Sequence, residues 1–269
     1  MYKRQVLGRA AFGGLALWAE AHVGAAPVVL ALAGLLGFSA LLVAGAPDRL
    51  AAEDAALAPR RRIAAAGRLL IDALRRPATI FGLAFAALAG AGMEAVGGLA
   101  GPMLIDQGLA AEQVGRFLAV AGVAGLGAGS LAGGRLADRV PRTRAAALGV
   151  LGVAAACTAV ALGIGRVGTA PLLAALFVAY FLFGVLTCAT YTLMMDLTEP
   201  RVGGAQFSAF MGAVNLCYVW SVAAAGQLVP RVGYSGALLL AASASLFALA
   251  LLPAIRARSP LESGAQAGG

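Results

Sequence analysis

Residues 133–144 read Gly133-Gly134-Arg135-Leu136-Ala137-Asp138-Arg139-Val140-Pro141-Arg142-Thr143-Arg144. Arg135, Asp138, Arg139, Arg142 and Arg144 crowd this short turn, and a loop so charged does not sit in hydrocarbon. Yet residues 120–132 before it are mostly Ala, Gly, Val and Leu, and 145–164 after it are similar. Both runs are too long and too apolar for ordinary loops. The reading that satisfies all three segments is a membrane crossing, a turn on the arginine side, and a crossing back.

Composition agrees. The chain has 269 residues, 61% hydrophobic and 12% charged, with mean hydropathy +0.89. Soluble domains carry about 25% charged residues. The net charge of +8 raises the question of nucleic acid. The arginines answer it, because they lie in short loops between apolar runs and not on one face of a soluble domain. No nucleic-acid partner is expected; the lipid bilayer is.

Runs of about 20 apolar residues mark helical spans. Eight are expected, at 6–20, 25–45, 78–104, 113–133, 145–165, 171–194, 205–226 and 235–254. The third is long, hence tilted or broken. Strand-like alternation is absent, and lipid demands that backbone groups be satisfied within each segment, so the class is an all-α polytopic membrane protein. Placing 133–144 in the cytoplasm assigns every other loop. Seventeen basic residues then fall inside, among them Arg60, Arg61, Arg62, Arg75, Arg76, Arg139, Arg142, Arg201 and Arg256. Arg116, Arg166 and Arg231 fall outside, which accounts for all 20. That bias puts both termini in the cytoplasm. The expected location is a bacterial cytoplasmic (inner) membrane.

Residues 47–77 differ in kind. Ile63, Leu69, Leu70 and Leu74 alternate with Arg68, Arg75 and Arg76, as in a cytoplasmic linker with a surface helix. Residues 256–269 read as a cytoplasmic tail. The linker splits two spans (1–46) from six (78–255). The two parts share a pattern: Val23-Gly24 opens a span that runs to Leu42-Val43, and Val232-Gly233 opens one that runs to Leu251-Leu252. The first two spans thus look like the last two of a six-span unit, and the expected parent is a twelve-helix bundle from which about four initial spans are missing.

The charged turn leads to a family. Gly134, Leu136, Asp138, Arg139 and Arg142 resemble the loop motif of the major facilitator superfamily, roughly G-x-L-a-D-r-x-G-r-k/r; Pro141 stands where glycine is usual. With four spans restored, the motif falls between spans eight and nine, where the family repeats it. Two further stretches are similar to the branch of muropeptide permeases, acetyl-CoA transporters and siderophore importers. One is Pro102 to Gly115, with Asp106 and Gly108. The other joins Tyr191–Asp196 to Gly204, Gln206, Phe207, Ser208 and then Gly233-Tyr234. The resemblance implies a secondary transporter working by alternating access, which imports a small polar solute with protons. It implies that Asp138 and its arginines latch a cytoplasmic gate.

Single residues sharpen the picture. Gly125, Gly129 and Gly133 recur every fourth position and form a small-residue face for close packing; Gly134 is expected at a close approach of two helices. Asp138 is expected to pair with Arg142 or Arg139, against the plainer reading of a solvated topology signal. Glu94 lies near the middle of the third span, where a charge is costly and points to function. It is the expected proton-coupling acid, against the reading of a glutamate that snorkels outward. Asn215, Tyr218, Tyr180, Thr187, Thr190, Tyr191 and Gln206 are candidate solute contacts or, equally, interhelical ties. Asp196 and Glu199 sit at a helix end and read as gate or loop charges. Cys157, Cys188 and Cys217 lie in separate spans with no metal spacing, and no metal or cofactor is expected. There is no ATP-binding loop, dinucleotide fingerprint or nucleophile elbow. The expected protein is a monomeric carrier and not an enzyme. An efflux carrier of the same fold, or an inactive truncated carrier, is the alternative; a polytopic enzyme fits the sparse intramembrane acids less well.

Overall fold

The computed structural model describes residues 23–44 and 59–256. The expected span at 6–20, the linker residues 47–58 and the tail beyond 256 lie outside the described residues. The chain divides into two compact units, with the boundary after Arg68. Within the first, α1 (Ala25–Ala44) is an apolar helix of 20 residues, over the stretch where a span is expected. Helix α2 (Pro59–Arg75) runs across the boundary between the units. Its last turns bury Ala73 and leave Leu69 and Ile71 exposed.

The second unit holds five helices long and apolar enough to cross a membrane: α3 (Pro77–Asp106), α4 (Ala111–Arg139), α5 (Arg142–Gly163), α6 (Thr169–Asp196) and α7 (Gly203–Arg256). Among the described residues there is no strand. Helices satisfy most of their backbone groups within the segment, which is what a chain this apolar requires.

The segment α7 covers 54 residues but is not one continuous helix: at Gly233 φ is 70° and ψ is 174°, outside the helical region, and two helical arms meet there. Its partners show that the chain reverses there. Along the first arm, Gln206 meets Thr79, Phe210 meets Gly82 and Val222 meets Gly98, so the arm runs parallel to α3. On the second arm, Tyr234 meets Asp106 and Ser245 meets Gly92, so the direction is opposite. A positive φ suits glycine and strains other residues. The stretches 205–226 and 235–254, where two spans are expected, fall on the two arms.

Helices α4 and α6 lie parallel and nearly backbone to backbone. A Cβ on Gly125 would stand 3.1 Å from the Phe177 carbonyl oxygen, and one on Gly133 would stand 2.7 Å from that of Val185. A Cβ on Gly129 would overlap the Phe181 carbonyl. From the opposite side, one on Gly184 would run into Leu126 and Ser130 backbone. The four-residue glycine spacing is thus a contact face. Gly134 corrects the expectation placed on it: a Cβ there would meet only Cys188 Sγ, at 3.7 Å, an ordinary distance. Gly134 lies one residue, about 100° of helix rotation, past the contact made by Gly133.

These pairings sort the loops into two ends. Residues 75–79, 138–142, 196–206 and 256 share one end; 106–110, 163–169 and 231–235 share the other, joined by Gly165 N–H to Gln107 Oε1 at 3.2 Å and Ser235 Oγ to the Ala161 carbonyl at 2.7 Å. Arg75, Arg76, Arg139, Arg142 and Arg256 stand at the first end, Arg166 and Arg231 at the second. Among the described residues, then, more of these arginines gather at the first end than at the second.

Candidate functional site

Helix α3 is broken. Its α-helical ladder is interrupted at Ala89-Gly90 and resumes at Ala91. The stretch Ala89-Gly90-Ala91-Gly92 has two glycines in four residues, a composition that favours kinks. Backbone groups freed inside a membrane must find partners, and two neighbouring side chains flank this gap. The Trp220 indole N–H donates to the Ala87 carbonyl at 2.8 Å. The Gly92 N–H donates to Ser245 Oγ at 2.8 Å. Ser245 is fully buried.

Glu94 lies in the first turn after the break and is half-buried. Around Gly90 gather Glu94 Cγ, the Phe183 ring and Cys217 Sγ; a Cβ on Gly90 would stand 3.6, 3.7 and 3.8 Å from them. Tyr180 on α6 and Cys217 on α7 stand near Glu94. Tyr180 in turn covers Gly122, where a Cβ would lie 3.5 Å from its ring. Gly122 closes a π-helical stretch, Phe117–Gly122, inside α4; such wide turns recur at functional positions.

These residues share a seam. Helix α6 packs chiefly on α4 and α5 and touches α3 and α7 only sparsely. Gly90, Glu94, Tyr180, Phe183 and Cys217 lie along that lightly packed line, near the middle of their helices. Toward the arginine-rich end Tyr191 meets Phe207 edge-on, with centroids 6.3 Å apart and planes at 82°.

The other expected contact residues divide. Thr187 is half-buried and donates to the Phe183 carbonyl at 2.7 Å, along its own helix. The Thr190 hydroxyl is buried and, among the described residues, is the buried side-chain polar atom with no hydrogen-bond partner. Gln206 is fully buried. Its amide donates to Thr79 Oγ1 at 3.0 Å and to the Leu197 carbonyl at 3.1 Å, and it accepts from the Glu199 N–H at 2.7 Å. That is an interhelical tie, one of the two roles the sequence left open. Asn215 and Tyr218 are exposed. Asn215 stands well round the helix from the buried stripe of Gln206, Phe210, Cys217, Ser221 and Ala225, so the structure does not bring it into the seam.

At the arginine-rich end Arg142 is a hub. It lies 3.5 Å from Asp138 and 3.3 Å from Asp196, and it donates to the Ala137 carbonyl. Asp138 is 77% exposed while Arg142 and Asp196 are each 34% exposed. The half-buried Arg142–Asp196 contact joins α5 to α6 and is screened less than the exposed Arg142–Asp138 contact. Arg139 is exposed. A second pair, Arg76 with Glu199 at 2.7 Å, ties the start of α3 to the loop after α6. Among the described residues no group of three or more His, Cys, Asp and Glu side chains could hold a metal ion.

Comparison with protein-family models and with curated proteins yields no match. Trp220, Ser245, Phe183 and Arg76 carry no motif. The signal available for the first two was a polar or amphipathic residue in mid-span, which in lipid needs a partner.

Proposed function

We propose that the chain is a secondary active transporter, and that Glu94 carries the coupling proton. The observation behind this reading is the acid itself: a half-buried carboxylate at mid-helix, just after a helix break, on a lightly packed seam. An ionisable group at such depth is costly and is kept for function. Broken helices are a recurrent way of building solute and ion sites near the midplane. The sequence carries no ATP-binding motif, so uphill transport draws on an ion gradient.

On this reading α3 to α7 make six crossings, with α7 supplying two, and the arginine-rich end is cytoplasmic. The six form one half of a twelve-helix carrier of the major facilitator type. Asn215 and Tyr218 support that arrangement, because polar side chains exposed at mid-span need a second half to cover them. The Asp138–Arg142–Asp196 cluster is the cytoplasmic latch. The solute is small and polar, of the muropeptide or siderophore kind, and moves inward with protons.

The test uses the full-length gene product in liposomes loaded with a pH dye. A muropeptide and a ferric siderophore are offered in turn. Solute entry should acidify the lumen, and Glu94→Gln should abolish accumulation against a gradient while leaving downhill exchange. Uphill accumulation by Glu94→Gln with an unchanged pH dependence would remove Glu94 from the coupling role. Loss of both uphill and downhill flux would make it a ligand for a cationic solute instead.

A further inference from the structure

The turn that presents Glu94 is held from both arms of α7. Trp220, on the first arm, takes the Ala87 carbonyl before the break; Ser245, on the second, takes the Gly92 N–H after it. Between these two bonds lie Ala89 and Gly90, and Glu94 N–H bonds the Gly90 carbonyl at 2.9 Å. Gly92 also comes close to the α7 backbone, where a Cβ would stand 3.0 Å from Ala242 Cα. The direction of the Gly90–Glu94 turn is therefore set by contacts from outside its own helix.

We propose that Trp220 and Ser245 are positioning residues for Glu94: they fix the broken turn of α3 so that the carboxylate stands in the seam with Phe183 and Cys217. The proposal rests on the reading of Glu94 as a titrating acid. Neither side chain is a ligand for solute or proton. Their effect is on where the carboxylate sits relative to the titratable groups that face it, Tyr180 from α6 and Cys217 from α7. A turn that slackens changes those distances and the water that reaches the acid, and both change its proton affinity.

The experiment reads the carboxyl directly, on the full-length protein in lipid nanodiscs. Dicyclohexylcarbodiimide modifies protonated carboxyls, and peptide mass spectrometry gives the fraction of Glu94 modified across a pH series, with Glu94→Gln as the blank. Trp220→Phe removes the donor and keeps a ring; Ser245→Ala removes the acceptor; Ser245→Thr keeps the hydroxyl. Trp220→Phe and Ser245→Ala should each move the modification midpoint by at least about half a pH unit, roughly a threefold change in proton affinity, with Ser245→Thr close to the parent. Two merely structural bonds would alter thermal stability and leave the midpoint in place, and that result overturns the proposal. If Trp220→Phe does not fold, the comparison of Ser245→Ala with Ser245→Thr decides. Should Glu94 resist modification at every pH, the coupling reading fails, and the positioning claim is judged on Cys217. Its alkylation by N-ethylmaleimide should then rise severalfold in both variants, and an unchanged rate would refute it.

Discussion

Gly129→Ala tests the packing of α4 on α6, because the same substitution at Gly97 supplies its own control. Alanine in place of a helical glycine gains about 0.5–1 kcal/mol from reduced backbone freedom. At Gly97 nothing lies within 4 Å of the new Cβ, so only that gain should register. At Gly129 the Cβ meets the Phe181 carbonyl oxygen, carbon and Cα. Backbone does not rotate aside as a side chain can, so the helices must part. Overpacking of a closed contact costs about 1–3 kcal/mol, and the upper end is expected here. The two variants should therefore differ by about five- to 150-fold in the unfolding equilibrium. Far-ultraviolet circular dichroism during titration of mixed micelles with sodium dodecyl sulfate measures that difference. Gly184→Ala presses on the same contact from α6, where its Cβ meets Leu126, Gly129 and Ser130 backbone. Once one substitution has parted the helices the second should cost less, so the pair should fall short of additivity. Equal stability of Gly129→Ala and Gly97→Ala would show that the helices do not meet at this face.

Arg142→Gln should reduce transport more than Asp138→Asn does, with both variants still inserted, because Arg142 faces Asp138 and Asp196 together; full activity in both, measured as solute flux, would reduce the cluster to a topology signal. Cysteines introduced at Arg139 and Arg166 should label from opposite sides of the membrane with an impermeant maleimide, and labelling from one side would overturn the orientation. Gly233→Ala should destabilise by about 1–3 kcal/mol in the detergent titration, the cost of holding a residue with a Cβ at φ 70° and ψ 174°, a region open essentially to glycine; an unaffected midpoint would mean that the reversal tolerates another conformation.

Much of the architecture was legible because lipid makes strict demands. Apolar run length located the five helices long enough to cross a membrane, most of the described arginines gather at one end of the bundle, and the length of the third run signalled its break. The seam was harder. Glu94 stood out as an acid in an apolar run, but the residues that hold its turn act through backbone groups, and a backbone partner leaves no pattern in a sequence. Gly184 is a similar case: the glycines of α4 recur every fourth residue and announce a face, whereas their counterpart on α6 is one glycine among Phe, Leu and Val. Gln206 shows the converse. A buried amide in a span signals a polar contact, and only the positions of Thr79, Leu197 and Glu199 tell a tie from a ligand site.

The bundle uses two kinds of attachment, and the contrast bears on where it yields. Helices α4 and α6 meet through glycines, backbone against backbone, with little side chain between them to rearrange. Close-packed contacts of that kind resist small deformation and move as a unit. Helix α3 is joined to α7 by separate clips along its length: Gln206 to Thr79, Trp220 to Ala87, Ser245 to Gly92 and Tyr234 to Asp106. That makes a second unit, and α5 packs against both α6 and α7. Between the two units runs the seam, lined by Tyr180, Phe183, Glu94 and Cys217 and narrowed by Tyr191 against Phe207. A switch needs a place where two arrangements of similar energy are available. On the transporter reading proposed above, the lightly packed line between two firmly joined pairs is such a place, and the acid of α3 stands in it.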